Sequence, residues 1–318
     1  MAIKGIDISL ARQYLEADEL VAVPTETVYG LAGNALHSSA VAKIFEAKER
    51  PSFDPLIIHV PDAQHLERYV TAIPKQAVQL INHFWPGPLT LVLRKKEIIP
   101  DLVTAGLDTV GVRCPDHPLT HQLLRQLDFP LAAPSANPFG YVSPTTAEHV
   151  EEQLGSKIPY ILDGGPCKVG IESTIIGFEN GKPMIYRRGG ISNEAIERVI
   201  GPVESRLHST SNPKAPGQLQ SHYAPRKPFL LGDIDQLMAT VKGKKFGVLR
   251  FKNAKNQAES EIVLSPSESV AEAAQNLFAA LRQLDAMNID LIIAEKVPDI
   301  GIGKAINDRL TRAAAASR

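Results

Sequence analysis

Lys48-Glu49-Arg50-Pro51-Ser52-Phe53-Asp54-Pro55-Leu56-Ile57-Ile58-His59-Val60 carries the chain from the end of a helix into a buried strand. Upstream, residues 39–49 place Val41, Ile44 and Phe45 on one face at helical spacing. Pro51 disfavours helical backbone at Arg50, so the chain must leave the helix there. Residues 56–60 are then nearly all apolar, as in a strand covered on both faces. Similar short strands are expected at 20–23, 89–94, 109–113 and 160–163, with amphipathic stretches between them. Thr145-Thr146-Ala147-Glu148 reads as a capping-box helix start. Near the end of this region, residues 173–178 and 183–188 flank Glu179-Asn180-Gly181-Lys182, and Asn-Gly is a strong hairpin signal. An antiparallel pair inside an alternating α/β pattern makes the sheet mixed.

Outward from this domain the character changes. Residues 205–228 are rich in Ser, Pro, Asn and Gly with no apolar period, and read as a linker between a first domain at 1–204 and a second at 229–318. In the second, residues 229–232, 246–251 and 291–294 look like buried strands and 267–287 like a long amphipathic helix, giving a small open α/β domain.

Bulk properties narrow the function. The 318 residues are 44% hydrophobic and 22% charged, and the net charge of -1 does not announce a nucleic-acid binder. An anion site must therefore be a local cluster of Lys and Arg. Cys114 and Cys167 are far apart, with no CxxC spacing, which indicates neither a disulfide framework nor structural zinc and fits a reducing cytoplasm. No signal-like apolar segment opens the chain and no run approaches the ~20 residues of a membrane span, so no membrane association is expected. P-loop, dinucleotide, HExxH and GxSxG patterns are all absent, against a P-loop NTPase, a nicotinamide enzyme, a zinc protease or a serine hydrolase.

Five clusters remain. Pro24-Thr25-Glu26-Thr27-Val28-Tyr29-Gly30-Leu31 puts two hydroxyls and a carboxylate at a strand end, where open α/β sheets place ligands; a turn capped by threonines explains it equally well. Lys48 and Arg50 sit at a helix C-terminus, an ordinary place for cations, but Asp54 and His59 follow toward the same end of the sheet. In Thr109-Val110-Gly111-Val112-Arg113 the two-residue period sends Thr109, Gly111 and Arg113 to one face. Arg113 there needs a partner: either a structural ion pair or a ligand carboxylate or phosphate, which also accounts for the missing side chain at Gly111. Ala133-Pro134-Ser135-Ala136-Asn137 and Ser143-Pro144-Thr145 are small-residue loops that let backbone N–H groups approach phosphate. Gly170-Ile171-Glu172-Ser173-Thr174 and Arg187-Arg188-Gly189-Gly190 suggest an anion subsite or a solvated edge. Cations and hydroxyls without an evident nucleophile describe a polyanion pocket that acts by positioning and electrostatics.

The segments PTETVYGLAG, KERPSFDPLIIHV, WPGPLTLVL, TVGVRCP, APSANPFG, GIESTII and YRRGGIS occur in this order and strongly resemble the threonylcarbamoyl-AMP synthase family. APGQLQSHYAP and GIGKAINDRLTRAA extend the resemblance to the family's two-domain form. The resemblance implies a twisted mixed-sheet YrdC-like α/β domain with a large basic cavity, followed by a smaller Rossmann-like domain. It implies a nucleotidyltransferase reaction in which L-threonine, bicarbonate and ATP, with Mg²⁺, give threonylcarbamoyl-AMP and pyrophosphate. The product would pass to the tRNA threonylcarbamoyl transferase machinery, which forms N6-threonylcarbamoyladenosine in tRNAs reading ANN codons. Carried over by motif, Thr27, His59, Arg113, Ala133 and Ser173 would hold threonine. Arg50, Asp54, Thr109, Ser135, Asn137, Ser143, Arg187 and Tyr223 would bind ATP, with Lys48 and Arg50 catalytic and no metal held by the protein itself. The linker, through Tyr223, would be a lid. Asp54 stands where the family usually has asparagine, and Gln218 where methionine is common. The rival reading is a double-stranded RNA-binding module or a direct tRNA contact, with a concave basic surface tracking phosphates.

Overall fold

A computed structural model describes residues 1–207, 213–218, 223–253 and 260–315. It contains an eleven-stranded mixed sheet in the first part of the chain and a four-stranded parallel sheet in the second. The helix Ser38–Lys48 ends at Glu49, whose backbone turns left-handed (φ 54°). The chain then enters the strand Ile57–His59. That strand lies parallel to Thr109–Arg113, with His59 level with Arg113 and Ile57 level with Gly111.

Pairing directions bring one set of chain positions to a single end of the sheet. Leu89–Arg94 runs antiparallel to Thr109–Arg113, so Thr90 stands opposite Arg113. Thr174–Glu179 runs parallel to Leu89–Arg94, and Lys182–Arg187 folds back antiparallel through Asn180 and Gly181, both at positive φ. The expected hairpin is therefore present, with a bulge between Ile185 and Arg187. His59, Arg113, Thr90, Ser173 and Arg187 thus collect at the same edge, from strands as much as 128 residues apart in the sequence.

Several elements differ from expectation. Gly30–Asn34, read as part of a loop, is a fully buried strand between Val21–Val23 and Leu131–Ala132. Its Gly-Leu-Ala-Gly-Asn composition has little β propensity, and neighbouring strands supply the pairing. The helix Ala147–Leu154 starts one residue later than the capping box implied: Thr146 caps the His149 N–H. Glu148 instead bonds Lys4 across 144 residues. The boundary expected at 204 falls inside the short strand Glu204–Ser205, which pairs with Met184 and Ile185.

In the second part, Phe229–Leu231, Phe246–Arg250 and Leu291–Ala294 are strands and Val270–Ala286 the long helix, joined by an unforeseen strand Glu261–Val263. Helices Ile234–Thr240 and Gly303–Ala315 complete it. Ala273, Ala274, Leu277, Phe278, Leu281 and Leu284 of the long helix pack against this sheet. The same apolar cluster reaches Val28, Val142 and Ile171 of the first part, so the two sheets share buried surface. Residues 208–212 and 219–222 of the expected linker lie outside the described residues.

Candidate active site

A cavity opens where those strand ends meet: the carboxyl ends of Ile57–His59, Thr109–Arg113 and Lys182–Arg187, where α/β sheets place ligands, beside the amino ends of the antiparallel-related Leu89–Arg94 and Thr174–Glu179. Arg50, His59, Arg113, Ala133, Ser135, Ser173, Arg187 and Tyr223 all line it, with Val28, Ile57, Pro134, Glu172, Pro216 and Gly217. Its cavity volume is about 50 Å³. The linker contributes Pro216, Gly217 and Tyr223 to its wall.

Each cation is held from behind. Arg113 lies 2.7 Å from Glu26, both side chains 5% exposed, while the other Glu26 oxygen accepts the Asp116 N–H. Arg113 therefore has a protein counter-ion as well as a cavity face, and the ion-pair and ligand readings are compatible. Gly111 corrects the sequence reading. A Cβ there would stand 3.2 Å from Ile57 and 3.4 Å from Thr90, so the missing side chain makes room for neighbouring strands, not for a ligand.

Arg187 donates to the Ser173 carbonyl at 3.0 Å and the Ser173 hydroxyl at 3.1 Å, and its other nitrogen reaches the Pro216 carbonyl at 3.4 Å. Ser173 also shares a hydrogen with Thr90 at 2.7 Å. Arg50 donates to the backbone carbonyls of Asp54 and Pro55, and its end lies 2.9 Å from the Asp54 carboxylate. The charge introduced at position 54 is thus met by a neighbouring cation. Burial pushes the Asp54 pKa up, against the pull of Arg50, Lys48 and Arg187. Neither of its carboxylate oxygens accepts a hydrogen bond among the described residues.

His59 is 4% exposed; burial, and then the Arg113 charge, bring its pKa down to about 3. It is a neutral imidazole at ordinary pH. Because the folded pKa lies below the unfolded value near 6.5, acid favours the unfolded chain, and stability is lost as pH falls from about 6.5 toward 3. Between pH 7.5 and 5 this linkage amounts to about 2 kcal/mol. Chemical denaturation of His59→Gln should show a correspondingly flatter pH dependence than the parent; identical slopes would place the titration elsewhere.

The remaining expected site residues are not on the cavity wall. Lys48, 1% exposed, donates to the carbonyls of Ser135 and Asn137 and shapes the loop that carries Ser135. Burial and the nearby Arg50 hold its pKa well below the usual lysine range. Asn137 spans the same loop by donating to Pro138 and Tyr141. Thr27 is fully buried and bonded to Thr25, whose hydroxyl also accepts the N–H groups of Thr27 and Val28: the capped turn is real, and Val28 is what faces the cavity. The Ser143 hydroxyl donates to Glu172. Thr109 is furthest from expectation. Four positions along a strand carry it about 13 Å from Arg113, to a separate cavity with Asp108, Phe178, Glu179, Tyr186 and Lys214.

Sequence reasoning assigned no role to Glu26 or Glu172. Each stands inside a quoted cluster, but the signal that marks them, a buried cation beside them, is visible only in three dimensions. Gln218 is also better defined than its sequence implied. Its side-chain oxygen accepts the N–H groups of Lys214 and Ala215 and its amide donates to the Arg206 carbonyl, closing the linker turn.

Comparison with known proteins can be set beside this geometry. The Sua5/YciO/YrdC family profile, described as "Telomere recombination", matches residues 13–189, and that of the "Threonylcarbamoyl-AMP synthase, C-terminal domain" matches residues 191–315. The chain belongs to the Sua5/YciO/YrdC family. Within that family it is 43% identical over 323 residues to threonylcarbamoyl-AMP synthase of Pyrococcus abyssi, covering 96% of this chain and 93% of that one. Its identity to the Bacillus subtilis protein of the same name is 42%, over 96% and 92% of the two chains. The crystal structure of P. abyssi Sua5 complexed with L-threonine superposes with a TM-score of 0.93 at 40% identity, covering 100% of this chain and 98% of that one. The Sua5-type architecture, a mixed-sheet domain followed by one with a parallel sheet, is therefore the architecture of this protein.

Proposed function

We propose that this chain condenses L-threonine, bicarbonate and ATP into threonylcarbamoyl-AMP and pyrophosphate. One observation carries the reading: guanidinium groups from three separate segments, Arg50, Arg113 and Arg187, converge with a neutral His59 on one enclosed cavity. Full-length relatives bearing that enzyme's name support the same conclusion.

In this reading Arg113 takes the threonine carboxylate, as a fork-shaped donor suits. His59 accepts a hydrogen bond from the amine and leaves its lone pair free for carbon; Ala133 and Ser173 close the amino-acid end. The threonine nitrogen bonds to the carbon of carbon dioxide, supplied by bicarbonate with loss of water, and loses a proton. A carbamate oxygen then bonds to the α-phosphorus as the bond to the β-phosphate oxygen breaks. Arg50, Ser135 and Arg187 face the phosphates, where fixed positive charge and hydroxyls stabilise the transition state. Lys48, Asp54, Asn137, Ser143 and Thr27 act through the groups they hold. Mg²⁺ would enter with the nucleotide as MgATP, held mainly by the phosphates and supplying positive charge to the transferring α-phosphoryl group.

Ligand pockets of this kind need roughly 300–1,000 Å³, so Pro216, Gly217 and Tyr223 must move outward to admit MgATP and settle back over it. Gly217 is suited to that packing. At φ 83° its would-be Cβ stands 2.7 Å from the Tyr223 hydroxyl and 3.1 Å from Arg187. The tRNA threonylcarbamoyl transferase machinery is the consumer the product's chemistry calls for, because a mixed anhydride with AMP is an activated acyl donor. Two buried free cysteines fit a reducing cytoplasm as the setting. No helix among the described residues is long and apolar enough to cross a membrane.

The RNA-binding reading loses its basis here. Lys48, Arg50, Arg113 and Arg187 are all at most 8% exposed, so none of the four presents its charge on an open surface that a duplex backbone could track. The deciding assay is pyrophosphate release from MgATP with and without threonine and bicarbonate. Dependence on both is expected; release indifferent to threonine would sink the proposal.

A further inference from the structure

The motif near the C-terminus, Asn307-Asp308-Arg309-Leu310-Thr311-Arg312, has no part in the reaction just described, yet it reaches the cavity wall. Arg309 is fully buried. It lies on the helix Gly303–Ala315 in the second part of the chain, and its guanidinium faces the first. Nε and one terminal nitrogen both donate to the same Glu172 oxygen at 3.1 Å, and the other terminal nitrogen donates to the Arg188 carbonyl at 2.7 Å. Its flat face covers the Tyr223 ring with 5.0 Å from the guanidinium carbon to the ring centre, while Phe278 of the long helix stacks near the same ring at 5.8 Å.

Glu172 and Tyr223 are both cavity-lining, and the second Glu172 oxygen accepts the Ser143 hydroxyl at 2.6 Å. Three residues on, Arg312 donates to the Leu207 carbonyl, where the linker begins. One helix therefore grips the linker at Leu207 and Tyr223, and fixes a carboxylate of the wall between them.

We propose that Arg309 is a positioning residue for the nucleotide end of the site: it fixes Tyr223 and Glu172, so the second part of the chain completes the ATP subsite of the first. The argument rests on the assignment of Tyr223 and Arg187 to the nucleotide. A guanidinium is the group the place requires, since only a planar fork can donate to Glu172 and the Arg188 carbonyl while stacking on a ring. A lysine keeps the charge but not the fork. Among the described residues Arg309 shares no hydrogen bond or ion pair with Arg113, His59 or Ser173 at the threonine end, so the two substrates should respond differently.

The test compares Arg309→Ala and Arg309→Lys with the parent in the pyrophosphate assay, together with calorimetric binding of a non-hydrolysable ATP analogue with Mg²⁺ and thermal melting. Arg309→Ala should raise KM for MgATP more than tenfold and weaken analogue binding in step, with KM for threonine changed less than threefold. Arg309→Lys, which guards against a folding failure in the alanine variant, should lie between, three- to tenfold above the parent. Millimolar guanidinium should restore at least fivefold of the loss in Arg309→Ala and leave the parent unchanged. Equal rises in both KM values without guanidinium rescue, or a lysine variant that binds the analogue as the parent does, overturn the proposal and leave Arg309 as a tie between the two parts. The analogue measurement keeps this separate from the function itself: a parent protein whose pyrophosphate release ignores threonine removes the proposed reaction, whereas unaltered nucleotide binding in the variants removes only the role of Arg309.

Discussion

Arg113→Ala should lower kcat/KM for threonine by about 10²- to 10³-fold or more, the cost of losing one partner of a buried charged pair. MgATP binding should change little. The same substitution strips Glu26 of its counter-ion, and a carboxylate left uncompensated in a site 5% exposed costs about 3–5 kcal/mol of stability. The alanine variant alone would therefore confound a lost substrate contact with a weakened fold. Glu26→Gln combined with Arg113→Gln separates them, because two neutral amides of similar shape can bond each other without a stranded charge. We expect the double variant to recover most of the melting temperature and none of the threonine dependence. Recovery of both would make Arg113 a purely structural partner of Glu26. Glu26→Gln by itself is the complementary test: with the protein counter-ion removed, the threonine carboxylate becomes the main partner of Arg113, and threonine should bind at least as tightly as in the parent.

The pair also marks the limit of what the sequence reveals. The two-residue period of Thr109–Arg113 was enough to show that a cation would stand on a sheet face and would need a partner. It could not say that the partner is Glu26, because pairing across 87 positions is decided by strand order, which leaves no local trace. The same holds for Glu172 with Arg309, across 137 positions. What was legible obeys short-range rules: the Pro51 helix exit, the Asn180-Gly181 turn, the apolar strands around Ile57 and Leu91. What was not legible came from pairing overriding propensity, as in Gly30–Asn34, or from direction along a strand. Thr109 and Arg113 share a face and were grouped for that reason, yet they stand at opposite ends of one strand and serve different cavities.

Arg187 offers the second large effect, because it touches three things at once: the Ser173 backbone, the Ser173 hydroxyl and the linker at Pro216. Arg187→Ala should lower kcat/KM for MgATP by about 10²- to 10³-fold, since one buried cation facing phosphate is lost and Ser173 loses its donor. Arg187→Lys is the more informative change. Lysine retains the positive charge, but a single ammonium on a flexible stem cannot hold Ser173 and reach Pro216 in the geometry of a planar fork. If charge alone matters, the lysine variant should approach the parent wherever its ammonium is protonated. If Arg187 also orders the linker over the nucleotide, it should remain at least tenfold impaired in KM for MgATP, with kcat at saturating substrate much nearer the parent. We expect the second pattern, because one ammonium cannot replace three guanidinium nitrogens that hold the Ser173 carbonyl, the Ser173 hydroxyl and Pro216; a charge deficit adds to it, since burial lowers the pKa of Arg187 and would lower that of a lysine in the same place. The lysine variant should then gain activity as pH is lowered from 8.5 to 7, relative to the parent, as the ammonium regains its proton. A pH-independent ratio between the two would show that the fork, and not the charge, accounts for the whole deficit.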